Sequence, residues 1–236
     1  MAARWRGEGG QDRGARPYQE DSWALRTLAD GTLLAVVADG MGGHAGGAVA
    51  SKLVVDAVLR SVEAKGRSLA EGLEDANEAV KAGVALKPSL AGMGATLLAA
   101  LVGGDEVRWI SVGDSPLYLV ANGKLERLNA DHSFAPQIDA MAERGMITAE
   151  EAANHPGRHT LRDAVMGQPS SLVDEGRRWL AAGATLLLCT DGMESLAHER
   201  IAAAAGQSVD HLLEQVRAVG KPHQDNVTII KLERHP

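Results

Sequence analysis

The chain has 236 residues, 45% of them apolar, with 31 acidic against 24 basic side chains and a formal net charge of -7. This composition excludes a fibrous or disordered chain and fits one sizeable globular domain. No block of Lys and Arg stands out, which argues against a nucleic-acid backbone as partner.

The opening stretch MAARWRGEGG lacks the apolar run of a secretory signal, and no segment approaches the ~18 apolar residues of a membrane span. A lone cysteine, Cys189, has no internal disulfide partner and fits a reducing compartment. The expectation is a cytoplasmic chain with no membrane partner, and nothing in the sequence calls for more than a monomer. TLLAVVAD (32–39), a Val- and Leu-rich run between glycines, reads as a buried strand. The period then changes: in SKLVVDAVLRSVEA (51–64) and the residue before it, Ala50, Leu53, Val54, Ala57 and Val58 share one helix face. A second helix runs from about Leu69 to Val84, with Leu69, Leu73, Ala76, Val80 and Val84 as its apolar stripe. The segment 95–128 reads as strands with turn signals at GGD, GDSP and NGK, and strands joined by such short turns pair antiparallel. Residues 129–170 break this rhythm, as a lid or inserted subdomain does; within them, the Thr148–Glu151 spacing of a capping box predicts a helical turn over Ala149 to Ala153. GRRWLA and TLLLCTD return to strands. A helix follows from Ser208, its N-cap, to Val219, with Gly220 as C-cap, and NVTIIKL (226–232) ends the order as a strand. Trp23, Trp109 and Trp179 fall in strand patterns and read as core, and Cys189 reads as a small buried hydrophobe rather than a nucleophile. No βαβα alternation appears, so the order favours an α+β fold of antiparallel sheets with helices packed outside.

The acidic residues at strand ends suggest chemistry. Glu20 and Asp21 precede SWAL, Asp39 follows LLAVVA, Asp114 follows WISVG, Asp191 follows TLLLCT and Asp225 precedes NVTII. Each alone is most simply a turn residue or a helix cap. Together, on strands lying side by side, they would converge, repel one another and resist ionising unless divalent cations relieved the repulsion. Oxygen ligands without His or Cys favour Mg²⁺ or Mn²⁺ over zinc. A rival reading takes GMGGHA (40–45) as a dinucleotide-binding turn, but Asp39 would then face the pyrophosphate and the region twenty residues on is helical by pattern. A phosphate-binding P-loop fails because no Gly-Lys-Ser/Thr follows.

In chain order the sequence carries RPYQED (16–21), DGMGGHAGGAVAS (39–51), GAT (94–96), GDS (113–115), DHS (131–133), TDGM (190–193) and QDN (224–226). This series resembles the bacterial PPM metal-dependent (2C-type) serine/threonine protein phosphatases across nearly the whole chain. The resemblance implies one PPM-type domain over 1–236: a four-layer αββα sandwich of two antiparallel sheets between helix pairs, with 131–170 as the family's flap subdomain. It implies two Mn²⁺ or Mg²⁺ ions bridged by Asp39, one of them served also by Glu20 and the Gly40 carbonyl, the other held by Asp191 and Asp225. Asp114 with Asp191 would form a weaker third site, Asp21 would hydrogen-bond water held by the metals, and Arg16 would grip the substrate phosphate. The implied reaction is in-line attack of metal-activated water on phosphoserine or phosphothreonine of a protein, with a cognate Ser/Thr kinase opposing it.

Three positions depart from the family pattern. Met41 stands where many eukaryotic members carry a histidine proposed as general acid, Pro116 replaces the arginine that usually follows Gly-Asp-Ser, and Gln19 replaces Asn. His44 reads as capping or packing at the start of the 46–62 helix, and His155 and His159 as exposed residues at the flap's end. Two other readings stay open: a non-catalytic phosphatase-like regulator that binds a partner, and a phosphatase of small phosphorylated metabolites.

Overall fold

A computed structural model describes residues 4–42 and 45–235 of the chain. The first strand, β1 (Arg4–Asp12), is one the apolar pattern does not announce. It contains Gly7, Gly9 and Gly10, residues poor in β-propensity. Its neighbours explain them: a Cβ on Gly7 would stand 2.6 Å from Leu25 Cδ2, and one on Gly9 would stand 2.5 Å from Trp23 Cζ3. Glycine here makes room for bulky side chains of the facing sheet, a use of strand glycine that sequence periodicity hides.

β2 (Ser22–Thr27) and β3 (Leu33–Ala38) follow, and every residue of β3 is buried, as its unbroken apolar run requires. After the short β4 (Gly40–Met41) comes α1 (Ala45–Leu59), whose last turn widens into a π-type turn over Arg60–Ala64. Ala50, Val54, Ala57 and Val58 are buried along it. α2 (Leu69–Leu86) opens on a full capping box, Ser68 with Glu71, and buries Leu69, Leu73, Ala76 and Val80. Next come β5 (Gly94–Ala95), β6 (Leu97–Gly103), β7 (Glu106–Val112), β8 (Leu117–Ala121) and β9 (Lys124–Arg127). The NGK turn joins β8 to β9 with Asn122 and Gly123 both at positive φ, as a tight hairpin demands. α3 (Ala135–Glu143) and α4 (Ala149–Ala153) lie in the long connection to β10 (Asp174–Trp179), and Thr148 and Glu151 form the expected capping box. β11 (Thr185–Cys189), α5 (His198–Ala204), α6 (Val209–Val219) and β12 (Val227–His235) complete the order. α6 is capped as read, with the Ser208 side chain accepting from the His211 N–H and Gly220 in the left-handed region at φ 69°.

Two five-stranded antiparallel sheets result, β1-β12-β11-β8-β9 and β10-β7-β6-β3-β2, with a two-stranded β4-β5 piece beside them. Three buried layers separate four layers of structure. One joins β3 and β6 to α1 and α2 through Val36, Leu97, Val54 and Val80. A second joins the two sheets through Val37, Leu98, Leu117 and Ile230. The third joins β11 and β12 to α5 and α6 through Leu187, Ile229, Ile201 and Leu212. This is the αββα arrangement expected. Each fully buried Val, Leu or Ile contributes roughly 2 kcal/mol, so the layers together hold the strand ends in place even where those ends carry groups that repel.

Two expectations need correction. GDSP does not join paired neighbours: β7 and β8 belong to different sheets, so residues 113–116 carry the chain across the sandwich. Pro116 suits that crossing, since it has no N–H to pair while its carbonyl accepts from Cys189 N at 3.0 Å. Trp179 is not core but 71% exposed, because it ends the edge strand β10; Trp109 is buried and Trp23 half-buried. His44 lies outside the described residues. No helix among them is long and apolar enough to cross a membrane.

Candidate metal centre

All the acidic residues singled out above come to one end of the sandwich. Asp39 leaves β3 and Glu20 and Asp21 enter β2, both in one sheet; Asp191 leaves β11 and Asp225 enters β12, both in the other. Asp114 sits on the crossing between the sheets. Arg16, Glu20, Asp39, Gly40, Asp114, Asp191 and Asp225 line one cleft of about 300 Å³, with Asp21 behind it.

Backbone and hydroxyl contacts fix these side chains. The Asp39 N–H donates to Thr96 Oγ1 at 2.9 Å and its carbonyl accepts from Thr96 N at 2.8 Å. Asp21 Oδ2 accepts from the Thr190 and Thr228 hydroxyls at 2.9 and 2.7 Å, which ties β2 to β11 and β12. Asn226 binds the 13–20 loop: its Oδ1 accepts from Glu20 N at 2.7 Å, while its Nδ2 donates to the Arg13 and Tyr18 carbonyls at 2.8 and 3.0 Å. Arg16 pairs with Asp225 at 2.5 Å. The glycines after Asp39 answer to close approach: a Cβ on Gly40 would lie 2.2 Å from the Gly47 carbonyl oxygen and 2.5 Å from that of Glu20. Gly47 is equally tight, its Cβ position 2.5 Å from Glu20 Oε1. The start of α1 thus rests directly on β4 and on a site carboxylate, with no room for side chains between.

Burial and mutual repulsion make the cluster resist full ionisation. The Asp39 carboxyl is pushed well above the usual range by burial first, then by Asp21, Asp191, Asp114 and Asp225. Burial raises Asp21 to about 7 against the two threonine hydrogen bonds, with Asp191 and Asp225 adding to the rise. Asp114 goes to about 8 through burial and then Asp191, Asp131 and Glu194. Asp191 goes to about 6 through burial and then Asp225 and Glu194. Arg16 is the one Lys or Arg among the described residues lining the cleft.

The donor chemistry fits divalent cations. Oxygens Oε1 of Glu20, Oδ1 of Asp21 and Oδ1 of Asp191 are buried with no hydrogen-bond partner, which is costly for a carboxylate unless a cation faces it. Among the described residues no three acidic, histidine or cysteine side chains already close on one point. The three orphaned oxygens are the direct indication. The oxygen-only set suits Mg²⁺ or Mn²⁺.

Several contributors escaped the sequence reading. Thr96, Thr190, Thr228 and Asn226 hold the carboxylates, and three of them stand inside GAT, TDGM and QDN, motifs quoted above without a role for these residues. His159 is exposed as expected, yet it lines the cleft beside Leu161. The DHS histidine, His132, is buried and its Nδ1 accepts from the Gly113 N–H at 3.2 Å, a structural role on the sheet crossing. Gln19 serves the turn into β2, accepting from the Asp21 N–H at 3.0 Å. Cys189 is fully buried and its thiol is pushed far up by that burial, so it offers no nucleophile.

Residues 8–228 match the family model of protein phosphatase 2C. The chain belongs to the protein phosphatase 2C family. It is 36% identical over 234 residues to the serine/threonine protein phosphatase PstP of Mycobacterium tuberculosis, covering 93% of this chain but 43% of that protein, so it spans less than half of that relative's length. It is 30% identical over 241 residues to the serine/threonine phosphatase stp of Listeria welshimeri, covering 95% and 94% of the two chains. Among solved structures, the M. tuberculosis phosphatase PstP/Ppp superposes with a TM-score of 0.83 at 32% identity, covering 98% of this chain and 99% of that one. The catalytic domain of PstP in complex with two manganese ions superposes with a TM-score of 0.82 at 30% identity, with both chains covered in full.

Proposed function

We propose that this chain hydrolyses phosphoserine and phosphothreonine in proteins with two divalent cations, Mn²⁺ or Mg²⁺. The observation that carries the reading is the convergence of carboxylates from both sheets on one cleft, three of their oxygens buried without a partner. Asp39, at the end of β3, would be shared by both ions; Glu20 and the Gly40 carbonyl would complete one shell, Asp191 and Asp225 the other. Asp114 with Asp191 would hold a weaker third ion. When bound, such ions supply an activated water and offset charge on the phosphoryl oxygens. The chain's own part is positional: Thr190 and Thr228 aim Asp21 at the cleft, and Asn226 holds the loop that carries Arg16. Arg16, released from Asp225, presents a planar fork that matches a phosphate and stabilises charge developing in the transition state. Met41 lines the cleft and has no proton to give, so the leaving oxygen takes its proton from water. Residues 131–170, with α3 and α4, act as a flap beside the cleft within a single domain, and the chain works as a cytoplasmic monomer opposing a Ser/Thr kinase.

The test is phosphate release from a phosphothreonine peptide. Activity with Mn²⁺, lost with EDTA and lost in a folded Asp39→Asn variant, is the expected result; equal rates in all three would end the proposal.

A further inference from the structure

Between α2 and residues 167–175 lies a cleft of about 840 Å³, against about 300 Å³ for the carboxylate cleft. Its floor is apolar, formed by Leu73, Ile110 and Val173, and its rim carries Glu74, Glu78 and Glu175. Lys81 answers Glu78 at 3.1 Å, which leaves Glu74 and Glu175, among the described residues, without a cation at salt-bridge distance. Beyond Glu175 the charge reverses: the next hollow is lined by Arg108 and Arg177, so the acidic stretch is bounded.

The two clefts are neighbours across Gly94 and Met166. Met41 lines the carboxylate cleft, and Gly94 shows where it leads: a Cβ there would lie 3.1 Å from Met41 Cε and 2.8 Å from Met166 Cγ. Both methionine side chains therefore flank Gly94. Met166 is 43% exposed, and the next residue, Gly167, lines the larger cleft. The wall between them is fixed rather than loose. Val165 exchanges both backbone hydrogen bonds with Ala95, at 2.9 and 3.1 Å, and Ala95 pairs in turn with Gly40. The Gly167 N–H donates to Asn77 Oδ1 on α2 at 3.2 Å. Met41, Gly94 and Met166 thus form a short apolar step between the carboxylate cleft and the acidic one. An extended peptide spans such a step at ~3.3 Å per residue.

We propose that this larger cleft receives the residues flanking the phosphorylated Ser or Thr of a protein substrate and selects basic and apolar flanks. The inference rests on the phosphatase reading above and adds a substrate preference to it. Apolar flanks cover Leu73, Ile110 and Val173, and Arg or Lys meets Glu74 and Glu175.

The experiment compares three probes on the Mn²⁺-loaded chain: p-nitrophenyl phosphate, which has no flanks, and phosphothreonine peptides whose flanks on both sides are either Arg/Leu or Glu/Leu. The Arg/Leu peptides should show a KM lower by about fivefold, a ratio that shrinks with added salt. In a Glu74→Lys/Glu175→Lys double variant, with both positions exposed, the order of the peptides should reverse while p-nitrophenyl phosphate hydrolysis stays unchanged. Equal KM values in the unmodified chain, or a preference for Arg/Leu that survives the double variant, would overturn the inference and leave the phosphatase reading intact. Failure to hydrolyse p-nitrophenyl phosphate would instead remove the phosphatase reading, and this inference with it.

Discussion

Asp21 gives the sharpest test of the carboxylate cluster. Its carboxyl is held at about 7 in the folded chain against 3.8 ordinarily, through burial opposed in part by Thr228 and Thr190. Between those values the folded state keeps a proton that the unfolded chain has already released. Stability then falls as pH rises through this window, by about 1.4 kcal/mol per pH unit for this one group. From pH 5 to pH 7, with the slope halved as the group reaches its midpoint, that amounts to roughly 2 kcal/mol, or a drop on the order of 6 °C in Tm for a domain of this size. The perturbation is Asp21→Asn, which removes the titrating proton and keeps an acceptor oxygen for both threonines. Groups lowered in the folded chain, such as Glu71 at about 2, act only at lower pH. His132, lowered by burial, opposes the trend below pH 6.5 but does so equally in both proteins. The assay is thermal unfolding in EDTA at pH 5, 6, 7 and 8. The unmodified chain should lose stability across the series and the variant should lose less by about the amount given. With Mn²⁺ added, the unmodified chain should instead gain stability as pH rises, since the ions bind ionised carboxylates. Parallel curves for the two proteins in EDTA would show that Asp21 holds no proton in the folded chain over this range.

Other outcomes follow from the same geometry. Gly40→Ala would force a Cβ against two backbone carbonyls, at 2.2 and 2.5 Å, and should destabilise the chain by roughly 3 kcal/mol or more while lowering Mn²⁺ affinity, read by chemical denaturation and calorimetry. Arg16→Ala should leave Mn²⁺ binding intact and raise KM for a phosphothreonine peptide by about tenfold or more, the equivalent of one lost charge-assisted contact to phosphate. Ser208→Ala removes the N-cap of α6 and should cost about 1 kcal/mol in denaturant melts with no change in activity.

The sequence made the site legible because each carboxylate stands at the end of a patterned strand. LAVVADGM and LLLCTDGM look alike, and both aspartates reach the cleft, yet the chain continues differently after each. Gly40 begins β4, whereas Asp191 opens a 3₁₀ turn over Asp191–Ser195. That difference depends on what packs above: the start of α1 rests on Gly40, and Gly192 is pressed against the Asn226 carbonyl, contacts between residues distant in the chain. The same limit hid β1, whose glycines make sense only beside Trp23 and Leu25, and misplaced Trp179, whose exposure follows from β10 being an edge strand. Helices α2 and α6 were readable nearly to the residue because their caps and stripes are local signals. GDSP was not, since a short turn within a sheet and a short step between two sheets are spelled alike. The threonines beneath Asp21 left no trace of their own: a buried hydroxyl in or beside a strand has no periodicity to betray it.

In the proposed function, Asp39 joins carboxylates of two sheets around a shared pair of cations. Anomalous diffraction at the manganese edge, from crystals of this chain grown with Mn²⁺, addresses it directly. Two peaks should flank Asp39, one toward Glu20 and Gly40, the other toward Asp191 and Asp225. Manganese bound elsewhere, or no ion in contact with Asp39, would contradict it.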